Sequence, residues 1–406
     1  MSRLTSAPTA ALLAAAGVLV AGVLAASSTA RAADRLPICD GVSADQPAGQ
    51  AQMAPPSHGP LDQIGVPQAQ QWLRDHGTQP GAGVTVAVID SGVGGGVALA
   101  PGSTSGPPSY FHGSAVAGII AGASGVAPAA RILDLRAYTG HDAQNGPRVS
   151  AAGVRAAFDA LVAHPQWGVS IVNASLEVGD DPGLAADVAT LRRRGVIVVA
   201  STGNRLPQAS GVPSVYVGGE DFAATYFPAG YAGVVGVSAV APPGGDTAAA
   251  VLANSAADVA APTVGLRTLS MVGSPCVLDD VATSWATAEV SGVLALLRSA
   301  YPHATAAELV ARLEDTASGR PDVPTVFAGA GTVQAYEALT RPLSLSPTGQ
   351  RSLEAVPPAE DRASVPPPAP DVLAGTRHLA VWWGLAGGGA LLLALVLRPV
   401  VARRRR

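Results

Sequence analysis

Between residues 84 and 240 the chain repeats one unit, a short and nearly continuous apolar run followed by an alanine-rich stretch. The runs are VTVAVI (84–89), RILDLRAY (131–138), VSIVNAS (169–175), VIVVAS (196–201) and VVGVSAV (234–240). Each reads as a strand buried on both faces, because apolar residues occupy both sets of alternate positions. The stretches at 112–122, 149–163, 184–194, 286–300 and 305–315 carry apolar residues at helical spacing. Strand and helix in alternation predict an α/β fold, a mostly parallel sheet with helices on both faces.

The same patterning divides the chain. Residues 61–340 form one region long enough for a single large core. Before it, 33–60 is rich in Pro, Gln and Gly without apolar periodicity, and predicts an extension with little regular structure. After it, 341–377 is rich in proline and charge, either an extended spacer or a stretch with no geometric role.

Two apolar segments lie at the ends. Residues 1–32 carry Arg3, an apolar run from Ala10 to Ala26, and Ala30-Arg31-Ala32, the small-x-small pattern of a signal peptide cleaved before Ala33. An uncleaved N-terminal anchor is the alternative. Residues 378–397 (HLAVWWGLAGGGALLLALVL) lack charge and have the length of one transmembrane helix. Trp382 and Trp383 stand near its start, where indoles favour an interface, and Arg398 and Arg403 to Arg406 follow it. Positive charge stays on the cytoplasmic side, so a single pass of the cell membrane is expected, with 398–406 as a cytoplasmic tail and the large domain extracytoplasmic.

The formal charge is −4, and Arg3, Arg31, Arg398 and Arg403 to Arg406 lie in end segments that contain no acid. What lies between is more acidic than the total, which argues against nucleic acid as a partner. Every basic residue apart from histidine is arginine. That excludes a Ser-Lys dyad and a lysine-bearing phosphate loop. Cys39 and Cys276 are the two cysteines. In an oxidising compartment they form one disulfide or remain two thiols. No metal site, calcium included, and no cofactor is read from the residues.

Three strings carry chemistry: VAVIDSG around Asp90, HGSAVAGIIAG from His112, and ATSWATAEVSG around Ser284. A serine hydroxyl becomes a nucleophile when a histidine takes its proton and a carboxylate orients the ring. Asp90 ends an apolar strand and would emerge at the carboxyl edge of the sheet, where open α/β sheets place their sites. It reads equally as a turn or cap residue. His112 alone of the seven histidines stands in a motif. Thr283-Ser284 opens a helix whose Val290, Val293, Leu294 and Leu297 repeat at helical spacing, and a serine there is also an ordinary N-cap.

The order Asp, His, Ser and the strings themselves resemble the catalytic blocks of subtilisin-like serine proteases, over roughly residues 61–340. VIVVASTGN, ending at Asn204, is similar to that family's oxyanion block. The resemblance implies a subtilisin-like fold and hydrolysis of protein or peptide substrates by Ser284, His112 and Asp90, with Asn204 and the Ser284 N–H binding the oxyanion. It further implies that substrate pairs along Ser175-Leu176-Glu177, opposite a wall made by Ala200, Ser201, Thr202 and Gly203. The signal, the cysteine-bearing extension, the spacer and the anchor make the chain resemble a mycosin. That resemblance implies a partner in the membrane complex of a type VII secretion system and an extension that wraps the catalytic domain.

Four positions depart from the family pattern. Ala282 and Thr263 stand for glycines, Ala288 for a proline, and Glu177 for a glycine of the substrate strand. If the backbone at Ala282 needs a positive φ, alanine costs on the order of 1 kcal/mol there and displaces the nucleophile. Glu177 narrows a subsite or favours a basic substrate residue. Two functions therefore stand: an active endopeptidase, and a catalytically weak scaffold that binds secretion partners.

Overall fold

Six strands run parallel in one sheet in the computed structural model, which describes residues 35–41, 53–54, 59–104, 106–142, 146–205, 216–351 and 374–403. They are β1 (Thr85–Asp90), β2 (Arg131–Arg136), β3 (Val169–Ala174), β4 (Ile197–Ser201), β5 (Val235–Val240) and β6 (Val259–Pro262), in the order β6-β5-β4-β3-β1-β2. The first five lie where the apolar runs predicted them. The sixth, VAAP, is too short to show periodicity, and its proline is tolerated because the strand is at an edge.

The chain steps from β1 outward to β2 and then back across to β3, so the strand order reverses between β1 and β3. A crevice opens at the carboxyl ends of two such strands. Asp90 ends β1, and Ser175 directly follows β3.

The period of two along β1 sorts its side chains into two cores. Val86 and Val88 join the layer that contains α1 (Val66–Asp75), α2 (His112–Ala121) and α5 (Thr283–Ala300). Ala87 and Ile89 join the layer of α3 (Ala151–Ala163) and α4 (Pro182–Arg193). Helices therefore cover both faces, as expected. Residues Thr283 to Leu297 of α5 are all buried, which makes it the central helix of its layer. Beyond it come α6 (Ala306–Asp315), opened by a capping box between Thr305 and Glu308, and α7 (Ala335–Thr340). The sequence pattern had assigned neither α1 nor α7. The first is glutamine-rich on its outer side and the second is six residues long.

The extension is more ordered than its composition predicts. Leu36–Pro37 pairs antiparallel with Met53–Ala54, and Ile38 bridges Val277 in the hairpin of β7 (Leu266–Leu269) and β8 (Pro275–Leu278). Cys39 and Cys276 are fully buried and joined in a disulfide. The expectation of little regular structure is thus corrected for these residues: backbone pairing and a covalent tether supply the order that apolar burial does not.

The chain divides into two compact units, 1–353 and 354–406. Within the second, α8 (Ala374–Arg403) contains the stretch His378–Arg398, long and apolar enough to cross a membrane. The expected signal peptide, most of the proline-rich segment and Arg404 to Arg406 lie outside the described residues.

Candidate active site

A cleft of about 600 Å³ opens over the carboxyl ends of β1 and β3. His112, Ser175, Glu177, Asn204 and Ser284 all line it.

Asp90 is fully buried, and its carboxylate is held from three sides. Oδ1 accepts the Ser91 N–H at 2.7 Å and the Tyr138 hydroxyl at 3.0 Å. His112 Nδ1 donates to Oδ1 and Oδ2 at 2.9 and 2.8 Å. Occupying Nδ1 in this way turns Nε2 to the other side of the ring. Burial lowers the His112 pKa, but the charge and hydrogen bond of Asp90 outweigh it, with Glu177 and Asp280 adding, so the net shift is upward from 6.5. The Trp285 ring lies against the imidazole, centroids 4.7 Å apart, and its Nε1 donates to Asp280 Oδ1 at 2.9 Å.

The helix that carries His112 comes close to β1 because Gly113 follows it. A Cβ at Gly113 would sit 2.5 Å from the Gly92 carbonyl oxygen and 3.1 Å from Asp90 Oδ1. Ser91 Oγ locks the approach, accepting the Gly113 N–H at 3.0 Å and donating to the Tyr110 carbonyl at 3.1 Å.

Ser284 is the second residue of α5, where backbone N–H groups have no intrahelical partner. It is not the N-cap. That position is Ala282, and the N-terminal donor of the helix is capped by Asn204 Oδ1, which accepts the Thr283 N–H at 2.8 Å and the Thr283 hydroxyl at 3.1 Å. With Oδ1 so fixed, Nδ2 is the amide group of Asn204 left to serve the cleft. The Ser284 hydroxyl donates to the Ser175 carbonyl at 3.3 Å and makes no hydrogen bond to His112 in this structure.

The concern over Ala282 does not hold. Its φ is −142° and ψ 134°, extended backbone that any residue adopts, so alanine costs nothing there. Thr263 adds a support that glycine lacks: its hydroxyl donates to the Asp280 carbonyl at 2.8 Å and accepts the Ala282 N–H at 3.2 Å. Ala288 lies fully buried inside α5.

A line of hydrogen bonds ties β3 to α5 behind Ser284. Ser175 Oγ shares its one proton between the Ser284 carbonyl oxygen at 2.9 Å and Asn173 Oδ1 at 3.0 Å, and Asn173 Nδ2 donates to Ser291 Oγ at 3.0 Å. Asn173, Ser291, Tyr138 and Trp285 are site residues the sequence reading did not name. An asparagine following Ile171 and Val172 in the strand run VSIVNAS is the available signal.

Across the cleft, Ser201 Oγ donates to Glu177 Oε1 at 2.8 Å and lies 3.3 Å from the carbonyl oxygen of Leu176, which is itself buried. Ala200 and Thr202 are fully buried, and the Thr202 hydroxyl donates to the Val237 carbonyl of β5. Gly203, at φ 106°, makes the turn that delivers Asn204. Among the described residues no cluster of three or more His, Cys, Asp or Glu is arranged to hold a metal.

The model of the Subtilase family matches residues 81–333. Mycosin-3 of Mycobacterium tuberculosis is 31% identical over 401 residues, covering 84% of this chain and 83% of its own. Subtilisin BL of Lederbergia lenta is 29% identical over 280 residues, covering 64% of this chain and 92% of its own. Among solved structures, the MycP3 protease from the type VII (ESX-3) secretion system superposes with a TM-score of 0.55 at 28% identity, over 70% of this chain and 88% of that one.

Proposed function

The chain belongs to the subtilase family of serine peptidases, and on that premise we propose that it is an endopeptidase acting through Ser284, His112 and Asp90. The observation that carries the reading is the buried Asp90 carboxylate bonded to His112 Nδ1, in one cleft with a serine at a helix N-terminus.

Rotation of the Ser284 hydroxyl away from the Ser175 carbonyl frees it for the histidine. His112 Nε2 takes the proton as Ser284 Oγ bonds to the substrate carbonyl carbon. Negative charge passes to the carbonyl oxygen, where Asn204 Nδ2 and the Ser284 N–H donate to it. Collapse breaks the peptide C–N bond, and the proton on Nε2 goes to the leaving amine. Water then repeats the sequence on the ester, restoring Ser284 and releasing the acid.

The placement in a cell belongs to the same proposal. The apolar stretch His378–Arg398 and the arginines after it support a single membrane pass with the peptidase outside and the C-terminus in the cytoplasm. Similarity to a protease of a type VII secretion system supports a secretion complex as partner. The test is a fluorophosphonate probe on the purified chain, with the adduct located by mass spectrometry. Labelling of Ser284 that His112→Ala abolishes is the expected result. A folded chain that takes no label would overturn the reading.

A further inference from the structure

We infer that the cleft selects an arginine or lysine side chain on the substrate residue whose carbonyl is attacked, and that Glu177 is the residue that selects it. This rests on Ser284 being the nucleophile.

The position follows from what lies on either side. Glu177 is two residues past Ser175, whose carbonyl receives the Ser284 hydroxyl, and Ser201 is three residues before Asn204. The Ser201–Glu177 hydrogen bond thus spans the gap between the segment beside the nucleophile and the segment that ends at the oxyanion donor. A carbonyl carbon at Ser284 with its oxygen toward Asn204 directs its own residue's side chain into this gap.

The chemistry of the gap is anionic. Glu177 Oε1 is occupied by Ser201, while Oε2 has no hydrogen-bond partner among the described residues. Among the described residues no arginine pairs with this carboxylate, and the chain has no lysine. The side chain is half-buried and lines the cleft, and burial raises its pKa against the opposing effects of Ser201 and His112. Asp40, Asp279 and Asp280 line the same cleft, where His112 is the one basic side chain among the described residues. A partly desolvated carboxylate with one open oxygen fits a guanidinium or ammonium group. An acidic side chain would be repelled, and an apolar one would leave the carboxylate desolvated without a partner.

The full chain carrying Ser284→Ala, purified in detergent, binds peptides without cutting them. Fluorescein-labelled Ala/Gly peptides with a single Arg, norleucine, Ala or Glu are titrated by anisotropy. The arginine peptide is expected to bind about ten-fold tighter than its norleucine twin, and a second substitution, the isosteric Glu177→Gln, to remove most of that difference. Equal affinities, a preference that survives Glu177→Gln, or tightest binding of the alanine peptide, as a side chain that merely fills the pocket would give, each overturn the inference. Binding needs no turnover. A wild-type chain that resists the fluorophosphonate would therefore sink the nucleophile and leave the anisotropy difference to decide the selectivity.

Discussion

The side-chain oxygen of Asn204 caps the helix that carries Ser284, the proposed nucleophile, accepting the Thr283 N–H at 2.8 Å. One amide thus holds the helix start with its oxygen and presents its nitrogen to the cleft. The two roles separate by substitution. Asn204→Asp keeps an acceptor for Thr283 but replaces the donor with a negative charge, so kcat should fall by about 10²- to 10³-fold or more while stability stays near wild type. Asn204→Ala should lose a comparable amount of kcat and about 1 kcal/mol of stability with the cap. Urea unfolding beside steady-state kinetics distinguishes the two. An Asn204→Asp chain with wild-type kcat would remove Asn204 from the oxyanion site.

Tyr138 donates to Asp90 Oδ1 and so shares the carboxylate with His112. Without that donor the Asp90 charge is less neutralised and holds the imidazolium proton more strongly. Tyr138→Phe should lower kcat/KM by about ten-fold and move the acid limb of its pH profile upward. A residue that only fills space would leave the limb where it was.

Because Asp90 outweighs burial, the His112 pKa is above 6.5 in the folded chain. The base must be neutral to accept the Ser284 proton, so activity rises with pH through that raised value. The midpoint of the acid limb of kcat/KM is expected above 6.5. A midpoint below it would mean that desolvation wins over Asp90.

Glu289 is fully buried in α5 with neither carboxyl oxygen hydrogen-bonded among the described residues, and burial pushes its pKa well above 4.5. A carboxyl with a raised folded pKa keeps its proton in the native state after the unfolded chain has lost it. Stability therefore falls as pH rises above the unfolded value. Glu289→Leu should stabilise by about 1–3 kcal/mol near neutral pH, and by less in acid, where the unfolded chain is protonated too. Urea midpoints compared at about pH 5 and about pH 8 test the sign and its growth with pH.

The sheet was legible because its strands are buried on both faces and so carry unbroken apolar runs, as at Val86 to Ile89. The proposed triad, Asp90, His112 and Ser284, stands out in the sequence because each residue sits in a short motif at an element boundary. What periodicity alone left unread is held by hydrogen bonds and by pairing. Tyr138 follows the end of β2 and reaches Asp90 across the sheet edge, a contact that spacing does not encode. Strands β6 to β8 have four residues each, below the length at which alternation is recognisable. Glu177 was visible as a departure from the family pattern, but only Ser201 opposite it shows where its carboxylate points. The worry over Ala282 came from a backbone angle that the motif does not carry.

The bond between Cys39 and Cys276 joins positions 237 residues apart, and Ile38 and Asp40 on either side of Cys39 line the cleft. The number of polypeptides in the molecule is therefore independent of whether the strap stays in place. A cut anywhere between Gly41 and Gly59 would yield two chains that migrate as one and separate only on reduction. Such a molecule would keep the Leu36–Pro37 strand, and with it that rim of the cleft, until a thiol released them.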